Sequence, residues 1–342
     1  MKKILHMEYP FITSYPTHAN LFACQQFDMM SLEWYFENYM NLFTDKLVSD
    51  DNSYVDFFAP VPWRANPTLS YQSIGRELLG AIGVDIISFL IEALDQNNYI
   101  FLYLNHRYIS KSLINNAHDV FIYGFDKQNK IFHAADFFTE KYGFATCSFE
   151  EIKIAFQEVE YDEAISTRNV QGIILIKPVN SVNYKYNVKN TLAGLYDYLH
   201  STTSDGKYSH GYLVKQEYSI HTHRFGLDVY NFLIEYLDAI SNNDIACDIR
   251  GFYMLMDHKK LIEKYVEYLK QKRDLDTSKL ELFIESLYNE SRMILTKIVK
   301  CNIQSKHDFY YVIEKLNSLK KRDMEFTVCL IDFIEKNLNA FS

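Results

Sequence analysis

The sequence predicts an α+β domain followed by an α-helical domain, on the evidence of its prolines, its charges and its apolar pattern. All six prolines of the 342 residues lie at or before Pro178. Because proline breaks helices, the proline-free remainder favours a helical bundle. Residues 1–180 carry 13 Lys and Arg against 22 Asp and Glu, whereas residues 181–342 carry 22 of each. We therefore place a domain boundary near Val179–Tyr186, between a domain of residues 1–180 and a domain of residues 181–342.

The first domain combines helical patterns with short apolar runs. An aromatic-rich helix is predicted over Leu21–Phe43 and a second helix over Val84–Asp95. The polar stretch between Phe125 and Ile131 separates two apolar runs, so residues 119–137 should form a β-hairpin. Ser148 and Glu151 have the spacing of a capping box and should begin a helix. The predicted strands are Tyr99–Leu104, Val120–Phe125, Ile131–Ala134, Gly143–Cys147 and Gly172–Ile176.

The second domain shows helical periodicity almost throughout. No fixed-period repeat is visible in it, so a solenoid is not predicted. The predicted helices are Leu192–Leu199, Leu227–Ile240, Ile249–Lys272, Leu280–Cys301, Phe309–Leu319 and Phe326–Leu338.

Composition excludes several functional classes. The net charge of −9 gives no basic footprint for nucleic acid. The sequence shows no secretion signal and no run of about 18 apolar residues that would span a membrane, so we expect a cytoplasmic location and no membrane partner. A glycine-rich phosphate loop is also missing from the sequence, and direct use of ATP or NAD is therefore not expected.

The cysteines provide one candidate nucleophile. Their number is odd and they are scattered without a C-x-x-C pair, which favours a reducing compartment over a disulfide framework. Cys24 lies where the first predicted helix begins, and a helix N-terminus favours the thiolate. We interpret Cys147, Cys247, Cys301 and Cys329 as core thiols.

A cysteine nucleophile needs a histidine base and a polar group that orients the base. His118 lies at the start of the predicted hairpin and Asp136 at its far end, so the two should be neighbours. Asp119 is an alternative orienting residue. His133 is an alternative base, although its position in the returning strand favours a place on the face of the sheet.

A cysteine at a helix start, a histidine opening a hairpin and an aspartate at its far end resemble the papain-like fold of acyltransferases of specialised metabolism. This group includes BtrH-like proteins and CtaG-like closthioamide amide synthetases. The chain resembles the bacteriocin-leader-processing cysteine peptidases, which share the papain-like fold, more distantly. The segments 102–109 and 249–259 support the resemblance. It covers residues 15–180 well and the helical part loosely.

The resemblance implies amide-forming acyl transfer through Cys24, His118 and Asp136. The acyl donor would be a thioester on the phosphopantetheine arm of an acyl carrier protein, and the acceptor a small-molecule amine, with no bound cofactor. Papain-like peptidases usually place a glutamine six residues before the cysteine, where this chain has His18. The oxyanion donors would then be the Cys24 amide together with His18 or Asn20.

The second domain would serve as a lid or as a surface for substrate or carrier docking. The candidates for substrate binding are Arg250, Asp257 and His258. The alternative is that they make ordinary polar contacts between or within helices. Carrier proteins are usually acidic, so docking is expected at one of three basic clusters: Lys259-Lys260-Lys264, Lys270-Lys272-Arg273 or Lys320-Lys321-Arg322.

Two alternative functions and one alternative site remain open at this point. One is a cysteine peptidase or thioesterase with the same triad and water as acceptor. The other is a non-catalytic binding or scaffold protein that keeps the fold. His221 and His223 have ligand spacing, but no third ligand is evident, so no metal site is predicted.

Overall fold

The computed structural model describes residues 1–49, 52–139, 141–159, 172–179, 182–204, 221–243, 245–305 and 308–341. Its strands and helices define an α+β protein with antiparallel sheets. The strands are β1 (Lys2–Ile4), β2 (Leu42–Asp45), β3 (Val55–Phe57), β4 (Leu69–Ile74), β5 (Tyr99–Asn105), β6 (Ala117–Asp126), β7 (Ile131–Asp136), β8 (Gly143–Ser148), β9 (Ile173–Pro178) and β10 (His223–Phe225).

The α-helices of the described ranges vary from one turn to more than seven turns. Two short 3₁₀ helices, His106–Tyr108 and Leu338–Phe341, accompany them. The α-helices are α1 (Pro16–Gln25), α2 (Met29–Asn38), α3 (Pro62–Ala65), α4 (Arg76–Ala81), α5 (Ile86–Asp95), α6 (Phe149–Gln157), α7 (Val188–His200), α8 (Asp228–Asn243), α9 (Arg250–Arg273), α10 (Ser278–Ile303) and α11 (Tyr310–Lys336).

The chain forms two compact units. One comprises Met1–Met29 and Pro62–Tyr184, and the other comprises Met30–Val61 and Lys185–Ser342. The last of the three switches between units, after Tyr184, falls close to the predicted boundary. Residues 30–61, which the prediction placed in the first domain, belong instead to the second unit because β2 pairs with β3 and with the distant β10.

The first unit contains a seven-stranded antiparallel sheet in the order β4-β9-β5-β6-β7-β8, with β1 also paired to β6. Successive side chains of a strand point to opposite faces, so the sheet buries two separate apolar layers. Phe121 and Ala135 pack with residues of α1 on one face. Ile122 and Ala134 pack with residues of α5 and α6 on the other face.

The predicted hairpin is present as β6–β7, with a β-bulge between Ile122 and Gly124. Ile122 faces Ala134 and Asp126 faces Ile131 across the two strands. The carboxylate of Asp126 closes the turn by accepting hydrogen bonds from the amides of Gln128 and Asn129 at 3.0 and 3.1 Å. An aspartate that binds amides two and three residues later is a typical turn device.

Two helix predictions are wrong. The segment Leu21–Phe43 is not one helix: α1 ends at Gln25, α2 starts at Met29, and Leu42 already begins β2. In contrast, the two helices predicted over Phe309–Leu338 are one continuous helix, α11. The predicted capping box is confirmed, because Ser148 Oγ accepts from the Glu151 amide at 3.1 Å and the Glu151 carboxylate accepts from the Ser148 amide.

Within the described ranges, no helix combines the length and the apolar character that crossing a membrane would require.

Candidate functional site

The β6–β7 hairpin brings His118 and Asp136 into direct contact. His118 Nδ1 lies 3.0 Å from Asp136 Oδ2, and Nδ1–H donates to the carboxylate. The Asp136 side chain is fully buried, whereas 31% of the His118 side chain is exposed. The pair therefore joins a buried charge to a group that solvent can reach.

A second histidine, His106, lies against the same carboxylate. It follows β5, and its Nε2 is 3.4 Å from Asp136 Oδ2. Its Nδ1 lies 2.9 Å from Ser112 Oγ, and its ring stacks on Phe138. These contacts hold a completely buried imidazole in one orientation.

The sequence analysis did not single out His106, although a signal was present. Since β5 pairs antiparallel with β6, the end of β5 lies beside the start of β6, where Asn105 faces Ala117. A histidine immediately after β5 is thereby placed near His118. The prediction paired the segment 102–109 with the strand of His118 but gave His106 no role.

The two histidines have strongly shifted pKa values. Burial lowers the pKa of His118, but the hydrogen bond and charge of Asp136, with a smaller contribution from Asp119, outweigh it and raise the pKa to about 9. Burial, together with the positive charge of His118, lowers the pKa of His106 to about 3. At neutral pH His118 is thus mainly the imidazolium, protonated on both ring nitrogens and paired with the Asp136 carboxylate, while His106 is neutral.

Several hydrogen-bonding atoms of this cluster remain unused. His106 Nε2 and Asp136 Oδ1 are buried and have no hydrogen-bond partner among the described residues. His106, His118 and Asp136 each offer one nitrogen or oxygen ligand atom, and these three atoms lie within 4.8 Å of one another. These residues have the donor types that hold a divalent metal ion.

Cys24 is not part of this cluster, contrary to the predicted triad. Helix α1 starts at Pro16, so Cys24 lies in its last turn and not at its N-terminus. Its Sγ lies 3.3 Å from the carbonyl oxygen of Leu21, and burial raises the pKa of the thiol to about 12. At this end of a helix the dipole also opposes a thiolate.

Cys24 also lies on the other face of the sheet. It packs with Phe121 and Ala135 in the layer covered by α1. His118 faces Leu104 across β5 and β6, and Leu104 belongs to the layer covered by α5 and α6. Alternation along β7 places Asp136 on the side of Ala134, in that same layer. The sheet itself therefore separates the thiol from the pair.

The candidate oxyanion residues lie on α1. His18 and Asn20 are both buried. The Asn20 Oδ1 atom accepts from the hydroxyl of Tyr142 at 2.9 Å, and its Nδ2 has no partner among the described residues. No described contact links either residue to His118.

The alternative base and orienting residue take other positions. His133 lies within β7 and its ring is tilted against Tyr123, at a centroid distance of 6.0 Å. The side chain of Asp119 is not the hydrogen-bond partner of His118, whose Nδ1 instead approaches the Asp119 carbonyl oxygen at 3.3 Å. Of the two predicted carboxylates, Asp136 is the one that His118 contacts.

The residues proposed to bind substrate in the second unit do not converge. Arg250 begins α9 and makes a salt bridge with Asp248 at 2.9 Å. Asp257 and His258 are buried, and His258 Nε2 lies 3.0 Å from the carbonyl oxygen of Met40. These contacts are ordinary polar contacts within the helical unit, which was the alternative to substrate binding.

Lys259 belongs to a fully buried polar network and cannot dock a partner. Its Nζ forms a salt bridge with Asp323 Oδ2 and lies 3.0 Å from the hydroxyl of Tyr198 and from Nδ1 of His258. The Tyr230 hydroxyl donates to the same Asp323 oxygen at 2.8 Å. The network joins side chains of α7, α8, α9 and α11.

Most of the other residues of the basic clusters are paired with acidic side chains. Lys260 and Lys264 pair with Glu263 and Glu267 along α9, and Arg322 pairs with Glu290. Such pairs leave little uncompensated positive charge for an acidic carrier protein.

The remaining metal and thiol predictions have mixed outcomes. His223 lies in β10 with its Nε2 3.8 Å from Asp45 Oδ1, and within the described residues the three-membered donor cluster contains His106, His118 and Asp136 instead of His221 and His223. Cys147, Cys247 and Cys301 are buried, as predicted, but Cys329 is exposed.

Comparison of the chain with protein-family models and with curated proteins finds no match.

Proposed function

We propose that this protein transfers an acyl group from a thioester to an amine, with His118 as general base and Asp136 as the residue that orients it. The observation that carries the proposal is the 3.0 Å contact between His118 Nδ1 and the buried Asp136 carboxylate. A carboxylate on one ring nitrogen fixes the tautomer and leaves the other nitrogen to take a proton. The choice of thioester and amine rests on the resemblance described above.

Nε2 of His118 is the ring nitrogen that can act as the base, and because the pKa is raised to about 9 the active, deprotonated form increases as the pH rises towards 9. It has no hydrogen-bond partner among the described residues, and it is not one of the buried unpaired atoms. Because part of the His118 side chain is exposed, an acceptor molecule can reach it. The base must come within about 3 Å of the proton it removes.

The proposed reaction is a direct transfer. The nitrogen of the amine attacks the thioester carbonyl carbon while Nε2 of His118 accepts the proton from the nitrogen. The tetrahedral intermediate then expels the thiolate, and Nε2 returns the proton to the sulfur. The products are an amide and a free thiol, and the enzyme ends in its initial protonation state. We propose a phosphopantetheine thioester on a carrier protein as donor.

Direct transfer fits the chain better than an acyl-cysteine intermediate. The thiol of Cys24 is buried at the wrong end of α1 and is separated from His118 by the sheet. The first turn of α1 contains Pro16, Thr17 and His18, without a thiol. We retain a papain-like fold for the first unit as part of the proposal, supported by α1 on an antiparallel sheet and by the dyad on adjacent strands.

Two other functions share these observations. The same dyad can activate water and hydrolyse a thioester, which is the thioesterase alternative. The burial of Cys24 favours the second alternative, a binding protein without catalytic activity. Both alternatives are distinguished from acyl transfer by the products formed.

The test compares dyad variants with a thiol variant. Purified protein is incubated with acyl-loaded carrier protein and an amine, and amide, free acid and protein mass are measured by mass spectrometry. We expect His118→Gln to lower the rate of amide formation by roughly 10²–10⁴-fold, the usual contribution of general base catalysis. Cys24→Ala should retain the wild-type rate. His133→Gln replaces another histidine of the same sheet, and as the matched control it should also retain that rate.

Three results would contradict the proposal. A wild-type protein that forms free acid but no amide is a thioesterase. A wild-type protein that forms neither product supports the binding protein. An acyl adduct on Cys24, with activity lost in Cys24→Ala, would restore the cysteine mechanism.

A further inference from the structure

The cluster of His106, His118 and Asp136 has features that the base mechanism does not use. We propose that these three residues bind one divalent transition-metal ion, and that Zn²⁺ fits the donor set best. The inference does not depend on the proposed acyl transfer.

The distances between donor atoms agree with a metal site. Zinc binds imidazole nitrogen and carboxylate oxygen at about 2.0–2.2 Å, so the ligand atoms of a tetrahedral site lie roughly 3.3 Å apart. Asp136 Oδ2 lies 3.0 Å from His118 Nδ1 and 3.4 Å from His106 Nε2. The three ligand atoms all lie within 4.8 Å of one another, so movements of the side chains by about 1 Å would bring the set to the spacing of a tetrahedral site.

Two atoms of the cluster indicate a missing partner independently of these distances. His106 Nε2 and Asp136 Oδ1 are buried without a hydrogen-bond partner among the described residues, although both side chains are completely buried. An unpaired buried polar atom costs about 1–3 kcal/mol. A bound cation would occupy the lone pairs that the protein leaves unpaired.

The surroundings of His106 resemble those of a metal-binding histidine. Such a histidine usually engages a second polar group through its other ring nitrogen, which fixes the ring. Ser112 Oγ lies 2.9 Å from His106 Nδ1, and the Ile114 amide donates to that same oxygen. The ring of Phe138 stacks on His106 and fixes its tilt.

The donor set selects the class of ion. Two imidazoles and one carboxylate suit zinc and neighbouring transition metals, whereas Ca²⁺ and Mg²⁺ prefer sites composed of oxygen ligands. The exposed edge of His118 provides access for the ion and for a water molecule as fourth ligand. Zinc sites with three protein ligands and an open position are the form that keeps a water or a substrate.

Metal binding and the base role exclude each other. The ion takes the lone pair of His118 Nδ1, so the proton between Nδ1 and Asp136 must leave to solvent. An imidazole coordinated at Nδ1 no longer has its orienting hydrogen bond to Asp136. We therefore expect zinc to inhibit any reaction that uses His118 as base.

The experiment measures metal binding without any substrate. Full-length protein with Cys329→Ser, which removes the exposed thiol, is stripped with chelator and titrated with ZnCl₂ by calorimetry. We expect one tight site, with a binding heat that depends on the buffer because a proton is released. His106→Phe should weaken binding at least about 100-fold, and Ser112→Ala about 10- to 100-fold. MgCl₂ should show no comparable site.

Matched controls keep the result interpretable. His133→Phe and His223→Phe remove buried or half-buried histidines outside the cluster and should bind zinc like the parent. Circular dichroism checks that each variant is folded. Absence of a tight site in the parent, or equal affinity in His106→Phe and His133→Phe, would overturn the proposal. Because no thioester or amine is present, failure of the acyl-transfer proposal would not alter these results.

Discussion

Two buried carboxylates, Asp136 in the first unit and Asp323 in the second, solve the same electrostatic problem in different ways. Both side chains are completely inaccessible to solvent, and each has one oxygen without a hydrogen-bond partner among the described residues. Asp323 is neutralised by Lys259, which is itself fully buried. Asp136 is neutralised by His118, of which a third is exposed. The first arrangement is closed to solvent, and the second is open.

The difference matches a structural role for Asp323 and is what the proposed base mechanism requires of Asp136. Burial raises the pKa of Asp323, but the charge of Lys259 and the hydrogen bonds it receives outweigh this and keep the pKa below its usual value. Lys259, which donates to Asp323, is itself completely buried. In the other cluster, His118 has a pKa of about 9 and is partly exposed, so it can exchange a proton with solvent or with a bound molecule.

The largest expected effect comes from breaking the closed network. Lys259→Met leaves Asp323 as an uncompensated buried charge, so the free energy of unfolding should fall by about 3–5 kcal/mol. Urea denaturation measures the change. Lys264→Met, on the same helix but in an exposed pair with Glu267, should cost no more than about 1 kcal/mol. If the free energy of unfolding falls equally in the two variants, the buried pair contributes no more to stability than the exposed pair.

A smaller effect is expected from the pH dependence of the open pair, measured with EDTA present. The pKa of His118 is raised from 6.5 to about 9 in the folded protein. Its contribution to stability is therefore complete below pH 6.5 and is lost as the pH rises through 9, by at most about 3 kcal/mol. In Asp136→Asn this decrease should disappear. A wild-type stability that rises between pH 6.5 and 9, relative to Asp136→Asn, would contradict the assigned pair.

The smallest effects come from single hydrogen bonds at the edge of each cluster. Tyr230→Phe removes one donor to the Asp323 carboxylate and should cost about 1.5–3 kcal/mol, because the acceptor is charged. Ser112→Ala removes the partner of neutral His106 and should cost about 1 kcal/mol. Thermal unfolding measures the loss of stability in each variant. A larger loss in Ser112→Ala than in Tyr230→Phe would contradict the expectation that hydrogen bonds in the Asp323 network contribute more.

The sequence predicted the open pair because its assembly is local. His118 and Asp136 lie on one hairpin, and the polar turn between Phe125 and Ile131 fixes which residues face each other. The contribution of His106 could not be read in the same way. It depends on the pairing of β5 with β6, and the sequence alone does not show which strands are neighbours in the sheet.

The failure at Cys24 has a local cause that the sequence did contain. Pro16 is the first residue of α1, a position that proline favours. A helix starting there places Cys24 in the last turn, one residue before the helix ends at Gln25, whereas the prediction followed the aromatic run from Leu21 and moved the helix start downstream. The pairing of β2 with β10 could not be predicted for another reason. Strands of three or four residues are too short to show a recognisable alternation of apolar and polar residues.

The hairpin that carries both partners has a consequence for how the site arises during folding. The entropy lost in closing a loop grows only slowly with its length, and the loop between His118 and Asp136 is short. The dyad thus has low contact order, and its geometry is set by one turn and two strands before distant segments need to associate. Chemistry encoded in such a segment can persist while the helices attached to the sheet change around it.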